Sequence, residues 1–333
     1  MNWGKVEEIF GAEKKFRWKQ MKQAVFIDLI SDWNEVTVFP LELRNRLNSE
    51  APLAINAEEF KSKQSESGKV LITLSDDNKI ESVLMRHSSG RNTVCVSTQV
   101  GCPLGCAFCA TGRLGFKRNL TVGEILDQVL FFSRGLKAEG VKVTNVVFMG
   151  MGEPMLNYDA VVRAIRVLND QQGLSIGARH ISVSTAGIVP GINKLSAEDL
   201  PINLALSLHA ANDELRKSLM PVACQYSLDD IFTATDGFIE KTNRKVMLEY
   251  LMIRGVNDRL SDAKDLIKLL SGRRLYMVNL IRYNPTGIFR ASDVTTIKKF
   301  QDYLHQNGVY TTTRYRFGTD IDAACGQLAA GNE

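Results

Sequence analysis

Residues 92–112 read NTVCVSTQVGCPLGCAFCATG. Asn92 to Ser97 is a short, β-branched apolar run of the kind that forms a buried strand. Next comes a glycine- and proline-interrupted loop carrying Cys102, Cys106 and Cys109. A buried strand that runs straight into three thiols places chemistry at a strand's carboxyl end, the face on which α/β barrels carry their active sites. The stretch is uncharged and long enough to cross a bilayer, but Asn92, Gln99, Pro103 and its glycines exclude a membrane helix.

Further candidate strands occur at VTNVVFMG (143–150), RHISVST (179–185), INLALSL (202–208), KVMLEYLM (245–252) and YMVNLIRY (276–283). Amphipathic stretches such as TVGEILDQVLFFSRGL (121–136) and DAVVRAIRVLND (159–170) separate most of them. Alternating strand and helix implies a parallel sheet. Six such units are too few to close an eight-fold barrel and make an open, partial (β/α)6 barrel. No internal repeat is visible.

Upstream, Met21, Val25 and Leu29 fall four apart, and Pro40 with Leu43 and Leu47 reads as a helix opening at a first-turn proline. Between them KKFRWKQMK (14–22) interleaves lysines and Arg17 with Phe16 and Trp18, a mixture that suits phosphate and base contacts. The alternative is a solvated helix face with two core aromatics. The polar KSKQSESGK (61–69) reads as a linker, and KVLITL and IESVLM around SDDNK as a hairpin. The expected organisation is an N-terminal helical, RNA-binding accessory domain (1–60), a linker and β-hairpin (61–91), the partial barrel (92–318), and a C-terminal tail (319–333) expected to be mobile.

The chain has 333 residues, 44% apolar and 23% charged, which is ordinary for a globular protein with a sizeable core. A formal net charge of +4 does not by itself require a nucleic-acid partner, although a local patch could bind one. The N-terminus lacks the apolar core of a signal peptide. Six cysteines in a chain of this length, without an export signal, point to the cytoplasm and to thiols that serve a metal or catalysis.

Three thiolates are one short of the set that zinc or an iron–sulfur cluster usually takes. A structural zinc site would need a second Cys or His pair at matched spacing, and Cys95, Cys224 and Cys325 stand alone. The loop therefore favours a 4Fe-4S cluster with one iron open. CxxxCxxC, with Phe108 before the last cysteine, resembles the signature of the radical S-adenosylmethionine (SAM) superfamily. That resemblance implies that the amino and carboxyl groups of SAM fill the open iron. Downstream, MGMGEPMLNY (149–158) fails as a dinucleotide fingerprint because Met155 replaces its third glycine. It is similar to the superfamily's GGE-like motif, which implies that Gly152 and Glu153 meet the amino group of SAM.

Taken together, CVSTQVGCPLGCAFCATGRLGFKRNLT, FMGMGEPMLN, SVSTAGIVP, LSLHAANDELR and DIDAACGQL resemble the RlmN family of adenine carbon-2 RNA methyltransferases, from about residue 79 to 330. Carbon 2 of adenine lies between two ring nitrogens and is electrophilic, so the methyl group must reach it as a carbon radical. The resemblance implies that Cys325 takes a methyl from one SAM and that a second SAM, cleaved at the cluster on Cys102, Cys106 and Cys109, generates the radical. It further implies that Cys95 releases the product through a transient disulfide with Cys325. Glu81 matches the family's base in strand context, at a spacing to Cys95 one residue longer than the commonest pattern. A surface glutamate on a hairpin is the plainer reading of it. Further SAM contacts implied are Ser184, Ser207, Leu208, His209 and Asn284, with His209 equally readable as a structural histidine.

The same resemblance implies 23S rRNA at the peptidyl transferase centre as substrate, tRNA at the adenine 3′ of the anticodon, a flavodoxin-like electron donor and no membrane. A tail cysteine that must reach its own barrel implies a monomer. RNRLNSE (44–50) and GFKRNL (115–120), with Lys117 and Arg118, are candidate RNA contacts or simply wet surface. Two other functions stay open at this level. One is the Cfr type, which methylates carbon 8 of the same adenine and confers antibiotic resistance. The other is a noncatalytic iron–sulfur protein that binds RNA and senses redox state.

Overall fold

The computed structural model describes residues 1–314 and 317–329, so residues 330–333 of the expected tail lie outside the described residues. The chain opens with helices α1 (Trp3–Gly11), α2 (Lys15–Lys22) and α3 (Leu41–Glu50). A wider helical turn, Gln23–Ile27, continues α2. Their core is aromatic. The Phe10 ring lies 5.6 Å from Phe39 and 6.0 Å from Trp18, and Trp33 is fully buried with its indole N–H donating to the Ala51 carbonyl at 2.8 Å. Trp18 is half-buried and packs against this core, so only one of the two aromatics of the plainer reading meets it. Phe16 is half exposed, with Arg17 against its ring at 5.0 Å.

Strands β1 (Ala57–Lys61), β2 (Ser67–Thr73) and β3 (Lys79–Arg86) come next as an antiparallel meander. The polar stretch 61–69 is thus not a linker. It is the end of β1, a turn and the start of β2. The Ser62 hydroxyl accepts from the backbone N–H groups of Gln64 and Ser65 at 3.1 and 3.0 Å, the local bonding by which serine fixes a turn. Strand β4 (Asn92–Cys95) pairs antiparallel with β3 on one side and parallel with β7 (Asn145–Phe148) on the other. It joins the meander to the barrel.

Between β4 and β7 the chain makes a two-stranded ribbon, β5 (Gln99–Gly101) with β6 (Phe116–Asn119), that brackets the cysteine loop and the short helix α4 (Ala110–Arg113). Gly101 has φ +73°, and a Cβ there would lie 1.7 Å from the Gly115 carbonyl oxygen, so only glycine closes the ribbon. Helix α5 (Val122–Ala138) starts at a reciprocal cap between Thr121 and Glu124.

The barrel continues through α6 (Tyr158–Asn169), β8 (Ile181–Thr185), α7 (Val189–Leu195), β9 (Asn203–Ser207), α8 (Asp213–Leu219), α9 (Leu228–Thr242), β10 (Val246–Met252), α10 (Leu260–Leu270), β11 (Tyr276–Arg282) and α11 (Val294–Gln306). Strands β4, β7, β8, β9, β10 and β11 are parallel neighbours in that order, which is the expected (β/α)6 partial barrel. A further parallel strand, β12 (Thr311–Thr313), pairs with β11 and was not expected. The sheet runs from β1 to β12 without closing.

The tail spans that open side. Asp320 accepts from the Ser62 hydroxyl at 2.7 Å and the Lys63 N–H at 2.8 Å, both in the β1–β2 turn. Beyond it, the Ala110 N–H donates to the Gly326 carbonyl at 2.8 Å and the Thr111 hydroxyl to the Leu328 carbonyl at 2.7 Å. Over residues 317–329 the tail is docked through these bonds. Its glycines allow it to dock, with φ +60° at Gly318 and +86° at Gly326.

Candidate active site

The carboxyl ends of the parallel strands open into a cavity lined by Cys95, by Cys325 and by the three loop thiols. The loop is shaped by its own backbone. Cys102 N–H donates to the Gly115 carbonyl at 2.9 Å, and Cys109 N–H to the Cys106 carbonyl at 3.1 Å. Burial pushes the Cys102 thiol up to about 12 and the Cys106 thiol higher still, with the neighbouring sulfurs adding to the effect at Cys106. A bare thiol here keeps its proton, and a bound cation is what would draw it off.

Among the described residues no three Cys, His, Asp or Glu side chains converge to hold a single ion. The three thiols share one loop and one cavity without converging, an arrangement that fits a cluster taking one thiolate per iron.

On the next strand end, Gly152 and Glu153 also line the cavity. Gly152 has φ +97°, and a Cβ there would lie 2.5 Å from the Gln99 side chain of β5, so glycine is what lets the two strand ends meet. The Glu153 carboxylate is buried, accepts from the Met155 N–H at 3.0 Å and the Ala186 N–H at 2.8 Å, and is pushed up to about 7 by burial. It is well placed in charge and position to meet an ammonium. Ser184 of β8, Ser207 at the end of β9, and Asn284 just past β11 complete the wall.

His209 lines it too, in the left-handed region at φ +58°. Its Nδ1 accepts from the Leu251 N–H at 3.1 Å, which leaves the ring proton on Nε2, and its ring meets Phe108 edge-on at 4.7 Å. Burial, then the nearby Arg216, pushes its imidazole down to about 3, so it is neutral at physiological pH.

Other expected residues fall elsewhere. The Leu208 side chain is fully buried in the core and Leu208 is absent from the cavity wall. Asn284 donates to the Cys325 carbonyl at 3.0 Å and so holds the tail as well as the wall.

Glu81 is not a surface residue. It is buried, with one carboxylate oxygen 2.9 Å from Lys69 Nζ and the other accepting from the Ala329 N–H at 2.7 Å. It shares its strand face with Val83 and Met85, which line the cavity, but lies beyond the wall itself. Cys95 is buried, and burial pushes its thiol up to about 12.

Two charged residues on the wall were not anticipated, Glu249 and Arg314. Glu249 had a visible signal, a lone carboxylate in the apolar run KVMLEYLM. Arg314 had none. Of the basic candidates, Arg118 is neutralised by Asp76 at 2.6 Å and Glu124 at 2.8 Å, Lys117 donates to Asn78 at 3.0 Å, and Arg46 pairs with Glu50 at 2.9 Å.

Three thiols on a loop after the first barrel strand, with a buried carboxylate at the end of the second, define a radical SAM site, and the family model of the Radical SAM superfamily matches residues 96–270. A probable dual-specificity RNA methyltransferase RlmN from Symbiobacterium thermophilum is 46% identical over 321 residues, covering 95% of this chain and 86% of the relative. A ribosomal RNA large subunit methyltransferase N from Nitrosopumilus maritimus is 42% identical over 324 residues, covering 94% and 92%. The crystal structure of a radical SAM methyltransferase from Sphaerobacter thermophilus matches with a TM-score of 0.94 and 41% identity over 99% of this chain and 98% of that one. The chain belongs to the RlmN family of radical SAM RNA methyltransferases. That membership brings a 4Fe-4S cluster, SAM and an RNA substrate, and sets aside the zinc and noncatalytic redox-sensor readings. Among the described residues no helix is long and apolar enough to cross a membrane.

Proposed function

We propose that the protein methylates carbon 2 of an adenine in 23S rRNA, at the peptidyl transferase centre, and of the adenine 3′ of the anticodon in tRNA. The observation that carries this reading is that Cys95 and Cys325, far apart in sequence, line the same cavity as the three loop thiols. A cluster and SAM alone do not require two further cysteines. Methylation through a carbon held on sulfur does.

Cys102, Cys106 and Cys109 would hold the cluster, and Gly152, Glu153, Ser184, Ser207, His209 and Asn284 would seat SAM. When bound, the cluster and SAM supply a primary carbon radical able to remove a hydrogen atom from a methyl group. Cys325, as a thiolate, first displaces the methyl of one SAM, forming a carbon–sulfur bond and releasing S-adenosylhomocysteine. A second SAM is used for the radical, so two are consumed per turnover. Loss of hydrogen from the methyl on Cys325 leaves a carbon radical that adds to carbon 2 of adenine. The joined species then gives up the carbon-2 proton to Glu81 and one electron, for which the oxidised cluster would be the acceptor. Cys95, as a thiolate, attacks the Cys325 sulfur; the sulfur–carbon bond breaks with its electron pair on the methylene carbon, which takes up a proton from solvent, and methylated RNA leaves a Cys95–Cys325 disulfide behind. Reduction of that disulfide and of the cluster calls for an external donor of the flavodoxin type.

Residues 1–60, with Phe16 and the lysines around it exposed, are assigned to gripping RNA, and an adenine must be lifted from its stack at a cost of a few kcal/mol. One chain supplies both cysteines, so the unit of action is a monomer. The test is Cys95→Ser. Without the resolving thiol, RNA stays bonded to Cys325, and a protein–RNA species survives denaturing electrophoresis. Release of methylated RNA by that variant at the wild-type rate would refute the assignment.

A further inference from the structure

Arg314 takes no part in the chemistry above. It stands just past β12, where its backbone N–H donates to the Leu280 carbonyl at 2.9 Å and its side chain joins Cys95 and Cys325 in lining the cavity. Its guanidinium lies 3.6 Å from a Glu249 carboxylate oxygen and 3.4 Å from the Met149 sulfur, and only 21% of the side chain is exposed.

Glu249 is in turn fixed. Asn279 Nδ2 donates to it at 2.9 Å, and Asn279 Oδ1 accepts from the Thr312 hydroxyl at 3.1 Å. A polar chain therefore runs from β12 through β11 to β10 and ends on a cation in the cavity that holds the two sulfurs. At 3.6 Å the carboxylate is a charge partner and not a hydrogen-bond acceptor, so it steadies Arg314 without consuming its donors.

We propose that Arg314, held by Glu249, is a positioning residue for both sulfur steps, stabilising first the thiolate of Cys325 and then the thiolate of Cys95. The inference rests on the reading in which Cys325 carries the methyl group. A charged Cys325 is the strongest influence holding the Arg314 proton, ahead of Glu249 and then Cys95. At Cys95, burial and the charge of Cys325 act against ionisation, and Arg314 acts for it.

These couplings set an order of events. While Cys325 is a thiolate it competes for the cation and adds its charge to the burial that keeps Cys95 protonated. Once its proton has gone to solvent and it has displaced the methyl of SAM, it is a neutral thioether. The charge that opposed Cys95 is then gone and Arg314 is left to the resolving thiol.

The experiment uses cluster-loaded, full-length protein under anaerobic conditions. The rate of iodoacetamide alkylation of unmethylated Cys325 is followed from about pH 6 to 10 by peptide mass spectrometry, with exposed Cys224 as the reference in the same molecule. In Arg314→Gln the midpoint for Cys325 rises by about one pH unit or more relative to Cys224. The rate at neutral pH falls about threefold per unit, because the less acidic thiolate is also the better nucleophile. Arg314→Lys recovers most of the shift. Glu249→Gln, which leaves the guanidinium to the sulfurs alone, moves the midpoint down.

An unchanged Cys325 profile in Arg314→Gln overturns the proposal. Should that variant not load its cluster, Glu249→Gln decides, and an unchanged or raised midpoint there overturns it equally. Failure of the underlying reading shows separately, as a wild-type protein whose Cys325 never acquires a methyl group from SAM.

Discussion

His209 shows how a single residue's surroundings settle its role. Its ring is buried, accepts a backbone N–H at Nδ1 and is held neutral down to about pH 3, which suits a fixed wall for a ligand and not a proton shuttle. The unfolded chain's imidazole takes a proton near pH 6.5, so below that pH the unfolded state binds more protons than the native one. His209 therefore withdraws stability as pH falls from about 6.5 towards 3 and has no such effect above. His209→Gln is expected to lose less stability than wild type between pH 7.5 and 4.5 in paired denaturant melts. Parallel losses in the two proteins would contradict the buried, neutral assignment. The sequence named His209 only through its motif, LSLHA. Nothing in the side chain distinguishes it from His87, whose ring packs against Phe317 instead.

Among the elements, the β5–β6 ribbon is anchored from outside the barrel. Arg118 on β6 joins Asp76, in the β2–β3 turn, to Glu124, in the first turn of α5. A basic residue read as a possible RNA contact is thus a tie between three elements. Arg118→Ala is predicted to cost about 1 kcal/mol or less, as partly exposed ion pairs do, while leaving the salt dependence of RNA binding unchanged. A shallower salt slope in that variant would mean that Arg118 touches phosphate after all. Arg118 holds the Asp76 carboxyl below its ordinary range, so this tie is intact above about pH 4 and weakens as pH falls through the depressed value.

The six expected barrel strands were legible because each lies in an apolar run bounded by polar or helical segments. β12 was not, since Thr311–Thr313 is short, polar and recognisable only by its pairing with β11. The turn at 62–66 was misread for a related reason. Its composition is that of a linker, and what makes it a turn is local serine bonding and a partner, Asp320, far along the chain.

Over the whole molecule, an open barrel and a docked tail solve one problem together. The parallel strands leave a gap between β12 and β1, and residues 317–329 lie across it, bonded to the β1–β2 turn, to α4 and to Glu81. That path carries Cys325 into the cavity beside Cys95 and the cluster loop. The cysteine motifs were readable in the sequence. The docking was not, because it rests on backbone bonds such as Ala110 N–H to Gly326 and Ala329 N–H to Glu81, which leave no mark in composition or spacing.

In this mechanism the methyl carbon passes through Cys325 as a radical before it reaches adenine. The measurement is mass spectrometry of adenosine from RNA treated with anaerobically reconstituted protein and SAM fully deuterated in its methyl group. The expected product is methylated at carbon 2 and carries two deuteriums and one hydrogen. A methyl that keeps all three deuteriums would contradict passage through Cys325, and label at carbon 8 would contradict the assigned position.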